Sequence, residues 1–322
     1  MAQKIIDAHM HVIPAFCGER NGTPVHGCGY GKVRYGEKGS WRIGAKRGER
    51  RVMPPSFTDT TTPPHVVSEY LDYAGIDAAV CMQSIMYGNH NEYLAALVRS
   101  QPDRFIAAFA FVDPRRGAEA VDDLDWIDRE LGLIGVKLEP PDMPFWLDDK
   151  AYEPFWKKME KLGSILSIDL GWDPRENEYN FQIERLRNVV ERHPDLTVLI
   201  QHLGVSYLWD KAEQPPFPSL QKTLALKKYP NVWFDITGLP EFCPGEEYPF
   251  PRAQKIVEVA VETVGVERLI WGSDFPGILP EDVTYKQCLN VVRNHCTFLS
   301  DEEMGMVLGG NVLRLLAQRE GS

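Results

Sequence analysis

One pattern recurs eight times along this chain: a short apolar run, a turn, then a stretch whose apolar residues fall at helical spacing. The runs cover residues 5–12, 77–84, 105–113, 132–139, 164–171, 196–204, 232–238 and 268–276. Most are apolar nearly throughout rather than alternating, as expected of parallel strands covered on the outside by helices. Helical patterns follow at 64–75, 92–101, 118–131, 152–162, 181–193, 220–228 and 253–264. Several stop at Gly75, Gly163, Pro194 or Pro230, residues that do not continue a helix. A helix over 281–295 and two short ones over 301–308 and 311–318 come after the eighth strand. Eight strand–helix alternations predict a (β/α)8 TIM barrel, with a long loop after strand one and extra C-terminal helices, as a single domain over 1–322. An open doubly wound sheet is the rival arrangement. It would normally carry a glycine-rich phosphate turn after the first strand, and none is visible there.

Residues 14–63 fit no regular element in this reading, and hold nine glycines between Gly18 and Gly48. A loop this long inside a compact domain is usually functional or disordered. Because it follows strand one, it is expected to lie over the mouth of the barrel. Its second half carries Lys32, Arg34, Lys38, Arg42, Lys46, Arg47, Arg50 and Arg51 against only Glu37 and Glu49. A solvated lid surface would explain this run. So would a cationic cover that attracts a small anionic substrate, with Arg47 among the contacts.

The whole chain is nevertheless acidic, with 35 Lys and Arg against 46 Asp and Glu and a formal net charge of -11. That excludes general nucleic-acid binding, which needs a surplus of cations for phosphate. No run is long and apolar enough to suggest a membrane span, and the first residues lack signal-peptide architecture. The six cysteines form no C-x-x-C pair. Reduced thiols and a cytoplasmic location are expected.

In a barrel, chemistry gathers at the C-terminal ends of the strands. Strand one ends Asp7-Ala8-His9-Met10-His11. Residues i and i+2 of a strand share a face, so His9 and His11 are expected to point inward together. Two adjacent imidazoles make a poor apolar layer and a good ligand pair for a borderline divalent metal. Strand five ends near Asp169, strand six near His202 and strand eight near Asp274. Each alone could be a capping or core polar residue. Five ionisable groups at the same ends of four strands suggest a shared partner, and a metal ion pairs buried polar groups economically. Lys137 and Glu139 end strand four on one face, as an internal ion pair or as substrate contacts. Arg252 could clamp a carboxylate or simply begin a surface helix. His90 follows strand two closely and could line the site.

Asp-x-His-x-His at strand one, His202-Leu203-Gly204, Gly272-Ser273-Asp274-Phe275-Pro276 and Asn311-Val312-Leu313-Arg314-Leu315-Leu316 occur here in that order. Together they resemble the amidohydrolase superfamily. More narrowly they resemble its amidohydrolase-2 branch, typified by aminocarboxymuconate-semialdehyde decarboxylase and the hydroxybenzoate decarboxylases. The resemblance implies one divalent metal ion, Zn or Mn, with His9, His11 and Asp274 as ligands and His202 as the acid/base residue. It also implies a homodimer, for which the extra C-terminal helices offer an interface. At the position where the branch usually has a strand-five histidine ligand, this chain has Asp169. The carboxylate could bind the ion directly, favouring a harder ion such as Mn²⁺, or reach it only through water.

Three functions follow. The first is metal-dependent, non-oxidative decarboxylation of a small aromatic or unsaturated carboxylate, with Asp274 or His202 delivering the proton. The second is metal-dependent hydrolysis of a lactone, ester or amide bond in a small anionic substrate, with His202 polarising the carbonyl. The third is a metal-free, non-catalytic barrel. The first is the leading expectation.

Overall fold

In the computed structural model the described residues are 3–14, 61–171, 177–204, 213–243, 245–279 and 283–320, with short strand segments between 19 and 51. All eight expected strands form: β1 (Ile6–His11), β2 (Ala78–Met82), β3 (Phe105–Ala108), β4 (Gly135–Leu138), β5 (Ile165–Ile168), β6 (Val198–Ile200), β7 (Val232–Asp235) and β8 (Leu269–Ile270). They are shorter than the apolar runs because each run continues past its strand into the loop that carries the polar groups. β1, β2 and β3 pair in parallel, as do β4 through β8.

The two sheets join at both seams. Ala110 bridges Val136, with the Lys137 amide donating to the Ala110 carbonyl at 2.9 Å. Met10 bridges Phe275, with the His11 amide donating to the Phe275 carbonyl at 2.8 Å. The ring of eight strands is a (β/α)8 barrel. Among the described residues, backbone hydrogen bonds continue across the seam between the first and last strands, from the Ala8 amide to the Trp271 carbonyl at 3.2 Å and from the Asp274 amide to the His9 carbonyl at 2.9 Å.

Helices α1 (Pro64–Ala74), α2 (Asn91–Ser100), α3 (Ala118–Arg129), α4 (Glu153–Lys161), α5 (Ile183–Arg192), α6 (Pro218–Leu224) and α7 (Pro251–Val264) alternate with the strands. α8 (Tyr285–Asn290), α9 (Asp301–Gly305) and α10 (Asn311–Glu320) follow β8. Two apolar layers result. The larger lies between strands and helices. The smaller fills the barrel and includes Ile6, Ala8, Val80, Phe109, Trp233 and Ile270.

The C-terminal helices do more than offer an outer surface. Val312 and Leu315 of α10 join the interior layer, and the Asn311 side chain donates to the carbonyls of Val266 and Leu269, each at 2.7 Å. This face of α10 therefore seals the base of the barrel. Among the described residues, no helix is long and apolar enough to cross a membrane. Cys81, Cys243, Cys288 and Cys296 are free and buried.

The segment over 14–63, expected to be irregular, contains five short strands. Val33–Gly36, Ser40–Ala45 and Gly48–Arg51 form an antiparallel three-stranded sheet. Glu19–Arg20 pairs with Thr23–Pro24. The alternation in Val33-Arg34-Tyr35 and Trp41-Arg42-Ile43 was a strand signal masked by the glycines around it. Its expected place over the barrel mouth lies outside the described residues, as does Arg47.

Candidate active site

The histidines of β1 face inward by a device that simple alternation does not supply. Ile6 and Ala8 belong to the barrel interior. Strict alternation would then turn His9 outward. The pairing of β1 with β2 instead shifts register between Asp7 and Met10. This bulge reverses the parity, placing Met10 in the outer layer and aiming His9 and His11 at the mouth. Re-aiming a side chain is what a bulge beside a site does. The close approach of β8 is also sequence-specific. A Cβ on Gly272 would lie 2.5 Å from the His9 Cβ, so only glycine fits against the bulge.

His9, His11 and Asp274 each offer a ligand atom within 4.8 Å of the others. Asp274 reaches this place through a left-handed backbone, φ 61°, rare for a non-glycine residue and frequent at functional sites. His11 Nε2 lies 3.0 Å from Asp274 Oδ1. His9 Nε2 lies 3.6 Å from the same oxygen and has no hydrogen-bond partner among the described residues. The other His9 nitrogen, Nδ1, is 3.1 Å from Asp235 Oδ2.

Burial lowers the His9 pKa to about 4 against the pull of Asp235 and Asp274. Burial likewise lowers that of His11. Burial opposes ionisation of Asp274 as well, but its hydrogen bond to His11 and the charges of His9, His11 and His202 outweigh it and hold the carboxyl well below the usual range. Two neutral imidazoles and an ionised carboxylate are the protonation states a divalent cation requires. A buried nitrogen lone pair facing a carboxylate oxygen is also an arrangement that a cation between them would relieve. The donor set therefore fits a metal such as Zn²⁺ or Mn²⁺.

His202 stands beside His9, their ring centroids 5.1 Å apart. Its backbone also adopts a left-handed conformation, φ 52°. The His202 amide donates to Asp235 Oδ1 at 2.6 Å, and its Nδ1 lies 3.0 Å from the Thr237 carbonyl. Burial lowers its pKa, but Asp169, Asp235 and Asp274 outweigh burial and raise it above the ordinary value.

Asp169 does not join the three-residue ligand group. Its Oδ1 accepts from the Gly171 amide at 2.8 Å. Burial pushes its pKa up to about 6, against the attraction of His202 and Lys137. Lys137 and Glu139 form the internal ion pair that was one of their two expectations, at 2.9 Å and nearly buried. Glu139 is further fixed by the Ile85 amide at 2.9 Å.

The remaining candidates lie apart from the ligand group. His90 is half-buried at the N-terminus of α2, its amide donating to Gln83 Oε1 at 2.9 Å. Arg252 opens α7 and sits 5.1 Å from the Phe217 ring centroid. It lines a cavity of about 430 Å³ with Phe217, Phe242, Glu246 and Lys255. Phe242 also packs on His202, at 5.2 Å between centroids, so this cavity adjoins the histidine cluster.

Sequence reasoning missed Asp235 and gave Asp7 no task. Asp235 ends β7 just as Asp274 follows β8, and the strand-end rule would have found it. Asp7 points outward, where it accepts from the amides of His9 and Ser273 and the hydroxyls of Ser273 and Tyr285.

The family model described as Amidohydrolase matches residues 6–317. The chain belongs to the amidohydrolase family. An L-fucono-1,5-lactonase of Burkholderia ambifaria is 25% identical over 288 residues, covering 84% of this chain and 90% of that protein. Among solved structures, one from Acinetobacter baumannii is described as a probable 2-pyrone-4,6-dicarboxylic acid hydrolase with citric acid bound. It superposes with a TM-score of 0.67 at 20% identity, covering 98% of this chain and 99% of the other. The 5-carboxyvanillate decarboxylase of Sphingomonas paucimobilis superposes with a TM-score of 0.57 at 17% identity, covering 78% and 82%. Both structures establish likeness of fold.

Proposed function

We propose that this protein is a metal-dependent hydrolase that opens a lactone ring in a small anionic substrate. The observation that carries the reading is the placement of the Asp274 carboxylate, 3.6 Å from His9 Nε2, and the His202 imidazole, 5.1 Å from the His9 ring, around one histidine. This supplies a base and a hydrogen-bond donor at one carbonyl carbon. The lactonase relative supports the same chemistry. Decarboxylation, the leading expectation from sequence, becomes the rival outcome, because its supporting likeness is one of fold.

His9, His11 and Asp274 would hold the divalent ion, and Lewis acidity is what that ion supplies when bound. Asp274 accepts a proton from the attacking water as the water oxygen bonds to the carbonyl carbon. His202, held by Thr237 and Asp235, donates to the oxygen that gains negative charge. The ring C–O bond then breaks, and Asp274 returns its proton to the leaving oxygen. The product is a hydroxy acid whose new carboxyl ionises in solution. Asp169 acts through His202 in this scheme, favouring its cationic form. Lys137 offsets the carboxylates around it, and Arg252 and Lys255 offer the adjoining cavity to the substrate's anionic group.

The test is product analysis. Enzyme reconstituted with Zn²⁺ or Mn²⁺ is offered anionic sugar lactones and pyrone carboxylates in one panel, and hydroxybenzoates in another. Ring-opened acid without carbon dioxide supports hydrolysis, and carbon dioxide release supports decarboxylation.

A further inference from the structure

We propose that Asp235 is a positioning residue that locks the tautomer of His9 and so determines whether the site can take up a divalent cation. The inference rests on the reading above only in treating His9 as a ligand. Asp235 is buried, 1% exposed, at the end of β7. One of its oxygens accepts from two backbone amides, His202 at 2.6 Å and Thr237 at 3.2 Å. The other lies 3.1 Å from His9 Nδ1. A carboxylate that already accepts from two backbone amides presents acceptor atoms to its remaining neighbour as well. Asp235 is then acceptor-only, and His9 must carry its hydrogen on Nδ1.

The consequence falls on Nε2, which becomes a bare lone pair. That atom is the one near Asp274, at 3.6 Å, and it has no hydrogen-bond partner among the described residues. A carboxylate behind the ring of a ligating histidine orients the ring, fixes its tautomer and raises its basicity. Asp235 does this for His9 while its other oxygen pins the left-handed turn at His202. A single carboxylate thus sets the direction of both histidines.

Asp235→Asn separates these tasks. The amide oxygen can still accept from His202 and Thr237, so the turn is retained. The amide nitrogen only donates, so His9 Nδ1 must become the acceptor and the hydrogen moves to Nε2, where it blocks coordination. Two readouts follow. Long-range ¹H–¹⁵N correlation spectra of the metal-free protein report the His9 tautomer, and competition with a chromophoric chelator reports Zn²⁺ and Mn²⁺ affinity. The expected result is Nδ1–H in the parent, Nε2–H in Asp235→Asn, and a loss of affinity of about 10- to 100-fold. Parent protein showing His9 as Nε2–H overturns the proposal without reference to any variant. So does a folded Asp235→Asn protein with unchanged tautomer and affinity. If the parent binds neither ion, the metal-dependent reading fails, while the metal-free spectra still decide the tautomer.

Discussion

Asp7 and Ser273 are 266 residues apart in sequence and make two hydrogen bonds, from the Ser273 amide at 2.9 Å and its hydroxyl at 2.5 Å to the Asp7 carboxylate. This pair ties the strand that carries His9 and His11 to the turn that carries Asp274. Tyr285 of α8 donates to the same carboxylate at 2.8 Å. The relative placement of the three ligand groups therefore depends on a residue that touches none of their ligand atoms.

Asp7→Ala removes the acceptor for two amides and two hydroxyls and leaves them buried. At about 1–3 kcal/mol for each buried donor left unsatisfied, offset by relaxation, a loss of at least about 3 kcal/mol of folding free energy is expected. Tyr285→Phe removes one donor and should cost about 1 kcal/mol. Urea denaturation of both variants measures the difference. Equal losses would show that the carboxylate does not organise the junction.

His202→Gln keeps a polar side chain and removes the imidazole. Because His202 lies outside the group of ligand atoms, metal content should be unchanged while kcat falls by about 10²- to 10⁴-fold. Metal analysis alongside steady-state kinetics checks this. Loss of the metal together with activity would instead make His202 a ligand.

Asp169 gives a pH signature. Its folded pKa, about 6, lies above the ordinary value of 3.8, with burial as the cause. A raised carboxyl pKa means that the folded state binds the proton more tightly. Its ionisation therefore costs stability, fully above pH 6, less as pH falls from 6 towards 4, and not at all below that. Asp169→Asn should be more stable than the parent by up to about 3 kcal/mol at pH 7 in the metal-free protein. The advantage should vanish near pH 4. Thermal unfolding across this range checks it, and a constant difference between the two proteins would contradict the assignment.

Much of this architecture was legible because it rests on local signals. Eight apolar runs became eight strands, since burial on both faces leaves few polar residues within a strand. His9, His11 and Asp274 were legible for the opposite reason, as polar groups where apolar ones were due. The β1 bulge was not legible. The i, i+2 rule gave the right answer for His9 and His11 relative to one another, but their inward direction depends on a register shift that local sequence does not encode. Asp235 was legible by the strand-end rule, since it closes β7, but its contact with His9, 226 residues away, has no local signal. Asp169 shows the converse. The resemblance implied a ligand there, but the carboxylate accepts from the Gly171 amide and lies outside the three-residue group. The apolar residues of α10 read alike in sequence, yet Val312 and Leu315 meet the barrel base while Leu313 stays exposed, a division that only packing reveals.

Metal-dependent hydrolysis at the His9–His11–Asp274 group ties these expectations together. Its most direct test follows acid formation and carbon dioxide in the same reaction, on anionic lactones, before and after chelation. One equivalent of ring-opened acid per substrate consumed and no carbon dioxide are expected. Turnover should be lost on chelation and recovered with Zn²⁺ or Mn²⁺, with no recovery in His9→Ala. Stoichiometric carbon dioxide from a carboxylate substrate, or lactone turnover that survives complete metal removal, would contradict it.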